Sequence, residues 1–144
     1  MPALSQGLQF TVNGSTSTSV VYPAGTSTAQ IFTSTAVKAA NFYGINNAVQ
    51  TVAFKVTNFI GTVTLQASLA TSPNENDWFS INLLGQSYSV DTTGLVSQAV
   101  KKSISSNLGT STTEVYNFEG NYLWLRGRIS AFTAGTVNGI TINY

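Results

Sequence analysis

Apolar residues recur two apart along most of the chain, the period of a strand with one buried face. Leu8, Phe10 and Val12 share such a face, and Asn13-Gly14 then supplies the positive φ of a tight turn, which predicts a hairpin into residues 15–22. Pro23-Ala24-Gly25 breaks that run, and residues 29–37 predict another strand before a turn at Asn41-Phe42-Tyr43-Gly44. Residues 49–56 read as a strand with Val52, Phe54 and Val56 inward. Asn58-Phe59-Ile60-Gly61 reads as a turn, and residues 62–69 as the returning strand with Val63, Leu65, Ala67 and Leu69 inward. This is the clearest predicted hairpin, and its other face, Thr62, Thr64, Gln66 and Ser68, suits a solvated antiparallel sheet.

After a polar loop at residues 71–77, Phe79, Ile81 and Leu83 alternate inward. Residues 95–108 fit either a short helix or an irregular connection, because Leu95, Val96, Ala99, Val100 and Ile104 match neither period cleanly. Residues 122–132 predict a long strand with Leu123, Leu125, Gly127 and Ile129 toward the core. Its opposite face carries Tyr122, Trp124, Arg126 and Arg128. In the final strand, 135–144, Asn138-Gly139 marks a bulge or change of register.

Many short strands between turn signals, without a strong helical pattern, predict an all-β fold. The expected form is a single antiparallel β-sandwich of about eight strands with jelly-roll-like connections, a closed barrel being the alternative. One domain covers residues 1–144, a length that suits a single core. The phrase Asn-Phe-x-Gly occurs at Asn41, Asn58 and Asn117, with a looser echo at Phe132-Thr133-Ala134-Gly135. Its irregular spacing argues for reused turn chemistry rather than a repeat architecture.

Composition narrows the function. The chain has no Cys and no His, which removes disulfides, thiolate metal sites, the common zinc sites and the usual general base. Charged residues make up 8% of the chain and the net charge is +1, so the surface is polar without being charged and repels its own copies little. The opening residues lack the basic start and apolar core of a secretory signal, and no run of apolar residues is long enough to span a membrane. A soluble protein folded in a cytosol is the expectation, with no membrane partner.

Neither a phosphate-cradling glycine motif nor a serine nucleophile elbow is present. The five carboxylates, Glu75, Asp77, Asp91, Glu114 and Glu119, form no recognisable catalytic pair. No enzyme, no catalytic residue, no cofactor and no metal is expected. Asn74-Glu75-Asn76-Asp77 lacks the spaced pattern of a calcium loop and reads as a solvated turn. Arg126 and Arg128 alone make no basic stripe, so no nucleic-acid partner is expected and surface salt bridging is their predicted role.

Two roles stay open for the face Tyr122, Trp124, Arg126 and Arg128: packing beneath a neighbouring loop, or a subunit interface. Trp78, Tyr88, Tyr122 and Trp124 also offer platforms for a sugar, which makes a carbohydrate-binding module the competing class.

Residues 52–81, with Asn-Phe-x-Gly-Thr-Val-x-Leu-x-Ala-Ser-Leu and then Pro-Asn-Glu-Asn-Asp-Trp-Phe, resemble small virion proteins of tailed bacteriophages, cyanobacterial phages especially. Residues 116–144, with Asn-Phe-x-Gly-Asn-Tyr-x-Trp-Leu-Arg, extend the resemblance. It implies a β-sandwich built into the virion after synthesis in the host cytoplasm, as a capsid decoration or cement protein or as part of the neck, tail or fibre. The implied partners are the major capsid protein or other virion proteins and further copies of the chain in a homo-oligomer, with cell-surface glycans as partners under the alternative.

Overall fold

The computed structural model describes residues 5–12, 14–90, 92–94, 96–101, 104–107 and 111–143; for 86–90, 96–101, 104–107 and 111 it describes the backbone alone. The strands are β1 (Ser5–Gly7), β2 (Phe10–Val12), β3 (Ser15–Ser17), β4 (Val20–Val21), β5 (Gln30–Thr33), β6 (Val37–Lys38) and β7 (Val49–Ser68). They continue with β8 (Phe79–Ser80), β9 (Leu83–Val90), β10 (Val96–Lys101), β11 (Ile104–Asn107), β12 (Ser111–Glu119) and β13 (Trp124–Asn143). The all-β, antiparallel class is as expected. The strands number thirteen among the described residues rather than about eight, and eleven of them share one large sheet, with β2 and β3 apart as a hairpin.

Two strands of 20 residues each, β7 and β13, form the spine of this sheet and pair along their whole length, from Trp124 opposite Ser68 to Asn143 opposite Thr51. The outer edge of β13 takes β6, β5, β4 and β1 in turn, while β7 takes β8, β11 and β12, with β9 and β10 beyond β12.

The predicted hairpin over residues 49–69 is therefore a single strand, and the two strands predicted over 122–144 are likewise one. The alternation shows where a turn was expected and what occurs in its place. Val52, Phe54 and Val56 are buried on even positions, and Phe59, Val63, Leu65 and Ala67 on odd ones, so the strand changes face between them. Asn58 there has φ 49°. In β13 the inward set passes from Leu125 and Ile129 to Phe132, then to Ile140 and Ile142, and the pairing with β7 slips between Ser130 and Ala134 and again between Ala134 and Thr136. Ala131 at φ 49° and Gly135 at φ 83° supply the unusual backbone.

The two irregularities face each other, Ala134 lying opposite Ile60. They act as paired bulges, bending both strands together without ending either. Bulges of this kind let a strand pass from one layer of a core to the other. The curl returns the far half of β13 over its near half: a Cβ on Gly127 would stand 3.0 Å from Ile140 Cδ1 and 3.0 Å from Leu8 Cδ1. Gly127 thus serves close approach across the core.

Phe132 sits inside the bend, its ring 5.3 Å from that of Phe59 and 5.5 Å from that of Tyr22. A single apolar cluster joins these rings to Leu8, Phe10, Phe54, Phe118, Leu125 and Ile140. The hydrophobic side of the curled sheet is thereby closed on itself.

Other expectations resolve individually. The β2–β3 hairpin follows Leu8 and Phe10 into the core as predicted, with Gly14 at φ 81°, but Val20 and Val21 leave it to pair with β13; Asn13 lies outside the described residues. Residues 29–37 give two short strands, because Ser34 turns inward to bond Gly127. The Asn41 phrase is a turn, a 3-10 segment (Ala40–Tyr43) closed by Gly44 at φ 81°. Asn117 instead lies within β12, its side chain accepting from the Thr51 hydroxyl across the pair. Residues 95–108, expected as helix or irregular connection, contribute β10 and β11 where described; Leu95 and Leu108 lie outside. Leu69 and Phe79, expected inward, are 61% and 39% exposed: Leu69 follows the last residue of β7, and Phe79 opens the two-residue strand β8 at the end of the pairing. The pairing slip between Val137 and Gly139 matches the bulge predicted at Asn138.

Among the described residues no helix is long and apolar enough to cross a membrane.

Candidate functional site

Three of the four side chains singled out by sequence, Trp124, Arg126 and Arg128, lie along β13 with Tyr122 just before it, and all four are at least half-buried. Loop 71–78 folds back over this face of the strand, fixed by a 3-10 segment (Glu75–Asp77) in which Asn74 N–H donates to Asp77 Oδ2 at 2.7 Å and Asp77 N–H to Asn74 O at 3.0 Å. The Asp77 carboxylate is thus used to close the loop. Among the described residues no three acidic side chains gather where they could hold a metal ion.

Trp124 is half-buried; its indole Nε1–H donates to Thr71 O at 3.1 Å, and its ring meets Phe42 edge to face at 5.2 Å. Arg126 is buried. Its Nε–H donates to Gln66 Oε1 at 2.8 Å, its terminal nitrogens reach both oxygens of Glu75 at 3.3–3.4 Å, and its guanidinium lies 4.4 Å from the centre of the Trp78 ring. Gln66 is its cross-strand partner on β7, so the sheet itself sets the head-group position.

Tyr122, at the mouth of β13, stacks edge to face with Phe79 at 5.9 Å and covers Gly120, where any Cβ would meet its ring 2.6 Å away at Cε2. Its hydroxyl donates to Glu119 O at 3.4 Å, and burial pushes the phenol pKa above its ordinary value. Arg128, half-buried, lies two residues beyond Arg126 between Thr64 of β7 and Thr33 of β5.

A cleft of about 280 Å³ remains between loop 71–78 and this face, lined by Trp78, Trp124, Arg126, Glu75, Pro73 and Ser34 among others. Of the four predicted residues it brings together Trp124 and Arg126. The Glu75 side chain is 85% exposed at its rim. The Ser34 hydroxyl accepts from Gly127 N–H at 2.8 Å and donates to Thr35 O at 3.0 Å, which ties the residue after β5 to β13. The side chain of Tyr88, the remaining sugar-platform candidate, lies outside the described side chains.

Beside the cleft stands a group that sequence reasoning missed. Phe42, Tyr43, Leu69 and Phe79 are 39%, 42%, 61% and 39% exposed, and they lie near the end of the sheet where β7 finishes and β13 starts. Phe42 contacts Trp124, Phe79 contacts Tyr122, and Leu69 follows Ser68, the partner of Trp124. Aromatic residues just outside a strand run were the available signal, but the alternation assigned Leu69 and Phe79 to the core.

No protein-family profile matches the chain, and neither a curated protein nor a solved structure does.

Proposed function

We propose that the chain is a structural component of a tailed-phage virion, a capsid decoration or cement protein that acts by burying surface against the major capsid protein and further copies of itself. The observation that carries this reading is the exposure of Phe42, Tyr43, Leu69 and Phe79 at one end of the sheet, where Phe42 contacts Trp124 and Phe79 contacts Tyr122. Aromatic residues are enriched at interface centres, and here Lys38 Nζ lies 4.5 Å over the Phe42 ring at the margin of the group. The resemblance of residues 52–81 and 116–144 to phage virion proteins supports the setting, as does the scarcity of charge.

Fully burying a side chain of this size contributes about 1.5–3 kcal/mol, of which these half-exposed groups retain a part. Repetition over a shell multiplies a weak contact through avidity.

Light scattering on the purified protein gives its mass relative to the 15.2 kDa chain, and mixing it with capsids that lack it tests addition. Saturating, stoichiometric binding that Phe42→Ser with Phe79→Ser abolishes is the expected result. A monomer that ignores capsids overturns the decoration role and moves the chain to the neck, tail or fibre.

A further inference from the structure

We propose that the cleft between loop 71–78 and β13 binds a neutral saccharide of one or two rings. It is lined by the chain's two tryptophans and by one ion pair, Arg126 with Glu75 at 3.3 Å. That pair presents N–H donors and carboxylate acceptors side by side while cancelling its own charge. An anion entering the cleft would compete with Glu75 for Arg126, and a cation would meet the guanidinium. A purely apolar ligand would cover the pair's polar atoms without replacing their hydrogen bonds to water, which is costly.

A sugar satisfies all of these surfaces. Its hydroxyl rim both donates and accepts, and its C–H face is apolar enough to lie on an indole. Trp124 Nε1–H is already engaged by Thr71 O, so Trp124 contributes ring surface rather than a donor. Arg126 makes one contact through Nε and three through its terminal nitrogens, which leaves at least one of its five N–H groups for a ligand. Gln66 and the Trp78 ring hold the guanidinium in place before any ligand arrives, so little ordering remains on binding. The volume of about 280 Å³ lies at the small end of ligand pockets, which limits the occupant to one or two rings. The site stands whether or not the chain belongs to a virion.

Both tryptophans line the cleft, so the whole tryptophan emission reports on it. The test is a fluorescence titration of the full chain with maltose, cellobiose, lactose and N,N′-diacetylchitobiose, with sialyllactose as an anionic comparator. A saturable change with at least one neutral disaccharide, at a Kd on the order of millimolar, is expected. Trp78→Ala, which removes a lining ring and the support of the Arg126 guanidinium together, should weaken it about tenfold or more. Glu75→Gln, at a side chain exposed enough to leave the fold intact, should weaken it by about threefold, near the value of one exposed charged contact. Methyl glycosides of the same sugars separate the sources: retained binding marks sugars carried on a glycan chain, lost binding marks free reducing sugars, and both keep the site. Absence of saturation with all four disaccharides, tighter binding of sialyllactose, or affinities unchanged in Glu75→Gln overturns the proposal.

Discussion

Gly135→Ala tests whether the paired bulges curl the sheet. Gly135 has φ 83°, and a Cβ there would overlap the Asn58 carbonyl and stand 2.6 Å from Thr57 O. The conformational cost alone is about 1–2 kcal/mol for an L-residue held left-handed. The clash adds to it, because the atoms met are backbone on the partner strand and no rotamer change relieves them; overpacking of this kind costs about 1–3 kcal/mol. Together about 2–5 kcal/mol is expected, a large part of the 5–15 kcal/mol that holds an ordinary domain. Urea unfolding followed by tryptophan fluorescence should show the midpoint falling by about 1–2 M at unchanged slope. Gly25→Ala is the matched control, since Gly25 has φ 78° with nothing within 4 Å of its Cβ position, and it should lose only the conformational part. Equal losses in the two variants would refute the close approach of β7 and β13 at the bend.

Two further outcomes follow from the core and the site. Phe132→Ala removes a fully buried ring packed against Tyr22, Phe32 and Phe59, and should cost about 3–5 kcal/mol in the same assay; a loss below that of an exposed substitution would place Phe132 outside the core. The Tyr122 phenol, raised by burial above its ordinary 10.0, keeps its proton longer in the folded chain than in the unfolded one. Its contribution to stability is complete below pH 10.0 and is lost as pH rises through the raised value, so Tyr122→Phe should make unfolding less steeply alkali-dependent, as followed by circular dichroism against pH. An unchanged alkaline profile, or a Tyr122 that ionises at its ordinary 10.0 in ultraviolet difference absorbance, contradicts the burial.

Local sequence determined the class of structure and much of its inner face. Period-two alternation identified Val52, Phe54, Val56, Val63, Leu65, Ala67, Leu125 and Ile129, all buried, because a strand with one covered side leaves a mark on every second residue. Asn138-Gly139 was legible as a bulge for a similar local reason. What Asn58 to Gly61 do was decided by tertiary structure. A turn and a bulge make the same demand for positive φ, and only the facing irregularity at 131–135 of β13 selects the bulge that keeps a 20-residue strand intact. Ala131, a non-glycine at φ 49°, bears no local signal at all. The cleft was equally hidden. Trp124 and Arg126 were legible as one face of a strand, but Trp78 and Glu75 reach them only because loop 71–78 folds back, a contact between residues some 50 apart in sequence, Arg126 and Glu75 being separated by 51. Alternation reports which side of a strand is covered; which distant segment covers it depends on the path of the whole chain.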